Sequence, residues 1–421
     1  MRNKKIVAIR KFYFLEYFDI LLKSFEYSTI PETAIDMFIV LKDKKQLGES
    51  KYKKNHNTTD YSSIHTIKHL TYTFDEVLSE SLDLKLVEKK GKEINISPLG
   101  NKLLGISKTK GLDKFNLEIF KLMEQKTNGF RYLIESCYNG NPTKNGLLAF
   151  PVYSPLKLGI SKDEIVYNKN GLNNYFKVLQ EKLESDIKIY LGIDLNIENA
   201  NKSLAKRINT SGLIDNYNYS TSIFANYNKI IKRTRDYWIN YFLKEIYKFD
   251  LSLSYFELWV YRSKQLGIIN THEFYPGFNG KIVYPISVLM DEKANTDFKE
   301  LYSYEDGAKL YFHAPKWSSN QNEFVDILFR SYHDIKARTK SYFISLHDLR
   351  DMVCFKMKIA EKAFDEFLRK AYQLNLKNQL KIKISLETDK LPEENKAIYL
   401  MREPVLISGK PKNIIAIELK K

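Results

Sequence analysis

The most legible hydrophobic pattern in the chain lies between residues 73 and 104. Thr73 followed by Glu76 has the spacing of a capping box, and Phe74, Val77, Leu78 and Leu82 then recur on one helical face. This predicts a helix over 73–84, with Ser63 to Leu70 as a separate helix before it. Leu86-Val87 and Ile94/Ile96 flank the polar, Gly-containing stretch Glu88 to Glu93, which predicts a hairpin. Ser97-Pro98 then supplies a helix cap with Pro at the first helical position, ahead of Leu99, Leu103 and Leu104.

Two later stretches show the same succession. Ala225 to Lys248 is expected to be helical, with Ile231, Thr234, Trp238, Phe242 and Glu245 near one face. Ser254 with Glu257 caps a second helix through Tyr255, Leu258, Trp259 and Leu266, ended by Gly267. Ile268-Ile269 and Ile282 to Pro285 then predict a hairpin, its second strand held to a sheet edge by Pro285. Near the end, Ser345 precedes Leu346, Leu349 and Val353 on one helix, and Phe364, Phe367, Leu368, Ala371 and Tyr372 mark a second. The period then switches to two: Leu380, Ile382, Ile384 and Leu386 alternate with Lys381, Lys383 and Ser385, and Asn413 to Lys420 supplies a second strand across a long loop, Glu387 to Lys412.

Gly- and Pro-containing polar stretches at 48–63, 140–159, 209–222 and 315–322 punctuate the chain. They suggest segments 1–110, 111–220, 221–315 and 316–421. The expected fold class is mainly α with small β-hairpins (α+β), built from several winged helix-turn-helix domains at 1–110, 221–315 and 316–421. Residues 111–220 are helical at 114–124 and 171–187, with no topology legible.

The strings LDLKLVEKKGKEINISPLGNKLL (82–104) and ELWVYRSKQLGIINTHEFYPGFNGKIVYP (257–285) resemble winged-helix DNA-binding modules. Tandem winged helices over this length also resemble the DNA-recognition portion of type IIS restriction endonucleases. That resemblance implies a recognition component of a restriction or phage-defence system, binding double-stranded DNA. Plasmid-type replication initiators use tandem winged helices too and are an alternative. A further one is an adaptor that binds a partner ATPase or nuclease, favoured by the acidic 73–84 helix.

Charge sharpens the choice of partner. Lys plus Arg number 67 against 51 Asp plus Glu, a net +16, which suits a polyanion. The bland alternative is drift in an AT-rich genome, to which the 29 Tyr also point. Because a second helix of a winged helix enters the major groove while the wing touches the backbone, each candidate helix is judged by its charges. The 73–84 helix carries only acids, and 361–373 mixes Glu361, Asp365 and Glu366 with Lys362, Arg369, Lys370 and Gln373. Its wing adds Lys381, Lys383, Arg402, Lys410 and Lys412. The central segment 221–315 is the best candidate: Arg262, Lys264 and Gln265 are residue types that read base edges, and Lys229, Lys232, Arg233 and Arg235 suit phosphates.

Catalytic chemistry is thin. Ile414 to Lys420 ends in Glu418-Leu419-Lys420, which resembles the second half of a PD-(D/E)xK nuclease core, with Glu403 as the upstream acid that a Mg²⁺-dependent site needs. Glu403 precedes Pro404 in the reversed order, so the nuclease is a minor alternative. Ser408-Gly409-Lys410 lacks the rest of a P-loop. No metal site or cofactor is expected. Only Cys137 and Cys354 are present, no apolar run is long enough to span a membrane, and the basic start lacks an uncharged stretch, so a reduced cytoplasmic protein is expected.

Overall fold

The computed structural model describes residues 9–44, 64–139, 148–151, 153, 155–161, 164–165, 169–209, 222–249, 251–272, 280–285, 288–290, 298–313, 316–388 and 405–420. The chain is mainly helical with small antiparallel sheets. Contacts divide it into two units: Met1–Arg131, Glu257–Asn270 and Ile286–Lys421 form the first, and Tyr132–Phe256 and Thr271–Pro285 the second. The units do not follow four consecutive segments, and 221–315 is shared between them.

The first unit opens with α1 (Glu16–Tyr27), α2 (Pro31–Lys44), α3 (Ile64–Asp83), β1 (Val87–Lys90), β2 (Glu93–Ile96), α4 (Pro98–Lys110) and α5 (Leu112–Thr127). α3 is one helix where two were expected. No Gly or Pro interrupts Thr71 to Thr73, and Thr73 is buried beside Phe74 and Val77, so packing of the apolar face overrides the capping signal. Phe74 meets Phe38 and Phe25, with ring centroids 5.5 and 6.0 Å apart. The β1–β2 hairpin turns at Gly91, whose φ is +65°. Ile94 of β2 donates its N–H to Thr29 O, in the α1–α2 connection, at 2.9 Å. Ser97 caps α4 as expected, accepting from Gly100 N at 2.9 Å and donating to Lys85 O. Gly100 lies so close to the Leu86 carbonyl that no Cβ fits there.

Next in the chain come α6 (Gly129–Asn139), β3 (Leu148–Pro151), α7 (Lys169–Asp186) with a π-helical continuation to Leu191, α8 (Glu198–Asn209), α9 (Ser222–Tyr241) with a π-helical continuation to Ile246, α10 (Leu253–Gln265), β4 (Ile269–His272) and β5 (Gly280–Pro285). The three strands form a sheet in the order β3-β5-β4. β5 is therefore central rather than at an edge. Pro285 is tolerated because it follows the last residue of the ladder with β3, Val283. Within the second unit, Tyr247 places its hydroxyl between Ala149 N and Ala149 O, at 2.8 and 2.6 Å, so a side chain pairs with β3 where no strand does.

The first unit ends with β6 (Val288–Met290), β7 (Phe298–Ser303), β8 (Lys309–His313), α11 (Trp317–Thr339), β9 (Ile344–Ser345), α12 (Leu346–Met357), α13 (Glu361–Leu376), β10 (Ile382–Glu387), β11 (Val405–Ile407), β12 (Lys410–Lys412) and β13 (Ile414–Leu419). The turn expected over 315–322 is helical from Trp317, whose ring packs 5.9 Å from Phe324 and 5.3 Å from Phe367. The helices and strands expected over 345–420 are present. Ser345 caps α12 through Asp348 N, and Ile382, Ile384 and Leu386 of β10 are buried in alternation. The sheet order is β10-β13-β9. Both ends of this unit thus run helix, extended link, two helices and an antiparallel strand pair, β1–β2 at one end and β10–β13, with the β11–β12 hairpin between, at the other; the last strand returns to the link: Ile94 to Thr29, and Ile415 opposite Ile344.

Candidate nucleic-acid interface

α10 was expected to expose base-reading side chains, and it does not. Arg262 is fully buried and pairs with Glu80 of α3 at 2.7 Å, while its other nitrogen donates to Arg10 O and Phe12 O at 3.1 and 3.0 Å. Gln265 donates to Tyr13 O at 2.7 Å and accepts from Leu15 N at 2.9 Å. Lys264 pairs with Glu361 at 2.7 Å. The forked donors that would suit guanine or adenine instead match the carbonyls and N–H of residues 10–15. Burial explains this: Trp259, one turn before, is inside the core, and Arg262 and Ser263 follow it there.

Asp75 of α3 is exposed, and the other three acids of this helix have partners. Glu80 holds Arg262, Glu76 accepts from Lys11 N at 2.8 Å, and Asp83 lies 3.7 and 3.9 Å from Arg10 and Lys126. Glu80 is thus an internal counter-charge, whereas Asp75 and Asp83 stay on the surface.

α13 is the reverse case. Arg350 of α12 is fully buried and faces Glu361 at 3.5 Å, Asp365 at 3.4 Å and His347 Nδ1 at 3.3 Å. Glu361 and Asp365 are thereby drawn to the inner side of α13. Burial raises the Asp365 carboxyl to about 7, although Arg350 pulls it the other way. Lys362, Arg369, Lys370 and Gln373 are exposed, with Glu366 the one acid exposed beside them on α13. Their spacing of 4, 3 and 4 residues puts 362, 366, 369, 370 and 373 on one stripe, opposite buried Phe364, Phe367, Leu368 and Ala371. The helix that looked balanced in sequence presents a basic face.

Asn375, near the end of this helix, fixes the next strand. Its amide donates to Ile384 O and accepts from Ile384 N, both at 3.1 Å, continuing the ladder of β10 with a side chain. Lys381, just before β10, and Lys383 within it are exposed. The hairpin β11–β12 turns through Ser408 and Gly409, with φ +51° and +74°, and exposes Lys410, with Lys412 half-buried. Ser408-Gly409-Lys410 is thus a two-residue hairpin turn.

No family model, curated protein or solved structure matches this chain.

In the second unit Lys229, Lys232, Arg233 and Arg235 of α9 are exposed. Arg402 and Glu403 lie outside the described residues. Glu418 is exposed, stands opposite Lys383 in the β10–β13 ladder and accepts a hydrogen bond from the Tyr342 hydroxyl, a bond that pushes the phenol up to about 12. Lys420 donates to Asn378 Oδ1 at 3.3 Å. Among the described residues no three His, Cys, Asp or Glu side chains converge as a metal site would require, and no helix is long and apolar enough to cross a membrane. The inward turn of Glu361 and Asp365 had no sequence signal beyond their i, i+4 spacing, because the partner that selects them, Arg350, lies on another helix.

Proposed function

We propose that the protein is a non-catalytic duplex-DNA-binding protein whose principal reading element is a winged helix at 317–420. α13 is its recognition helix and β10, β11 and β12 its elaborated wing. The carrying observation is the sorting of charge on α13: Glu361 and Asp365 face Arg350 inside, while Arg369, Lys370 and Gln373 face outward beside Glu366, and Lys362, also outward, pairs with Asp113. Arg369 and Gln373 are types that pair with guanine and adenine edges, and the wing lysines suit phosphates. The element order at 16–96 repeats this module with acidic α3 in the recognition position, so its role is support. The restriction or phage-defence setting comes from the resemblance alone.

Fluorescence anisotropy on duplex DNA between about 50 and 200 mM salt tests the reading, since multi-phosphate binding loses orders of magnitude over that range. Arg369→Gln/Lys370→Gln is expected to weaken binding at least tenfold, and Gln373→Ala to reduce discrimination between sequences. Wild-type protein that leaves duplexes unbound at the lowest salt would end the proposal. The repeated module order in one chain favours, as a second reading, a plasmid-type initiator, which would bind tandem origin repeats more tightly than isolated ones.

A further inference from the structure

A second basic face lies in the other unit, and the 361–412 surface does not use it. α8 and α9 contact each other, and their inner sides bury Asn201, Leu204 and Ile208 on one helix and Ile230, Thr234 and Trp238 on the other, Asn201 donating to Phe176 O of α7 at 2.7 Å. Their outer sides expose Lys202, Lys206 and Arg207 on α8 and Lys229, Lys232, Arg233 and Arg235 on α9. Against these seven bases the two helices carry two acids. Glu198 is taken by Lys202 at 2.6 Å, and Asp236 is half-buried. Among the described residues no acid pairs with Lys229, Lys232 or Arg233.

Tyr237 joins the two helices into one face. Its hydroxyl donates to Ala200 O at 2.8 Å, and the Arg207 guanidinium lies 5.4 Å from its ring centroid. Arg233 sits one turn before Tyr237 on α9, and Lys229 one turn before that, so the bases of α9 run up to the ring that Arg207 covers from α8.

We propose that this face of α8 and α9 is a second DNA-contact surface, one that holds the sugar-phosphate backbone of a duplex without reading its bases. The inference rests on the duplex-DNA reading above. Its seven bases, four lysines and three arginines, come from two packed helices rather than one; lysine ammonium groups are point charges suited to phosphate, and arginine forks pair with phosphate oxygens too. Contact of this kind adds affinity and salt dependence but no sequence preference.

The test compares wild-type protein with Lys229→Gln/Lys232→Gln/Arg233→Gln on several duplex sequences and on a hairpin RNA, over the same salt series. Thermal melts and Lys229→Arg/Lys232→Arg serve as controls. The expected result is a triple variant that melts like wild type and loses about ten- to a hundredfold in affinity equally on all duplexes. Its log–log salt slope should fall by about two to three, near 0.9 per lost phosphate contact, and the Arg variant should keep full binding. Unchanged duplex affinity and slope in the triple variant, with wild type binding normally, would overturn this surface and leave the α13 reading standing. A loss confined to the RNA would overturn it too, in favour of an RNA partner. Wild-type protein that binds no duplex removes both proposals together.

Discussion

At the residue scale, the side chains chosen for base reading turned out to recognise backbone. Arg262 and Gln265 present a fork and an amide, and the peptide groups of residues 10–15 offer the same acceptors and donors as a base edge. Spacing on a helix names the residue type but not which surface it meets. Arg262→Leu should therefore destabilise the first unit by about 3–5 kcal/mol, because it leaves the Glu80 carboxylate buried without its counter-ion. Adding Glu80→Leu should recover a substantial part of that loss. Urea midpoints of the two variants decide it, and a single variant as stable as wild type would show the pair to be idle. Asp365 gives a pH effect whose sign is fixed. Burial holds its carboxyl up to about 7 in the fold, against 3.8 ordinarily. Between these values the native state keeps a proton that the unfolded chain has released, so stability falls as pH rises from about 4 to 7 and levels off above. In Asp365→Asn that decline should vanish, as measured by unfolding free energies across the window.

At the element scale, what the sequence made legible was what depends on neighbours in the chain. The alternation of Ile382, Ile384 and Leu386, the cap at Ser97, the stop at Gly267 and the helices at 346–376 all appear as expected. What failed depended on partners far away. The break before Thr73 disappears because Phe25 and Phe38 pack on Phe74 and hold one long helix together. Pro285 stops marking an edge because β3, more than a hundred residues earlier, pairs with β5 ahead of it. The strand-mimicking amide of Asn375 belongs to the same class, since no spacing announces that a helix will finish a sheet. Asn375→Ala removes two hydrogen bonds and strands the buried Ile384 peptide groups, so it should destabilise by about 1–3 kcal/mol. If the amide ties α13 to β10, amide exchange in β10 should quicken more than in α11. Uniform quickening would mean general destabilisation only.

At the scale of the whole molecule, the punctuation of the chain misplaces the cuts because the first unit is discontinuous. Residues 257–270 return to the N-terminal helices, where Trp259 stacks edge-on to Phe130 at 4.9 Å and lies where any side chain at Gly129 would have to go. Arg262 and Gln265 from the same stretch hold residues 10–15. A fragment of residues 1–131 therefore lacks part of its own core and leaves the Glu80 carboxylate unpaired. The C-terminal module is different. Its buried cluster, from Phe324 through Leu349, Phe364 and Ile384 to Ile417, is drawn entirely from 324–417, and two ion pairs, Lys264–Glu361 and Lys362–Asp113, reach out of it. Paired charges near a surface contribute little compared with burial of that many apolar side chains. Residues 316–421 expressed alone should give a cooperative thermal transition and dispersed amide spectra, whereas 1–131 alone should give neither. A folded 1–131 would show that the 257–270 stretch merely rests on a complete core. An unfolded 316–421 would show that the polar tethers to Lys264 and Asp113 matter more than the apolar cluster, and would make the orientation of α13 a property of the whole unit rather than of its module.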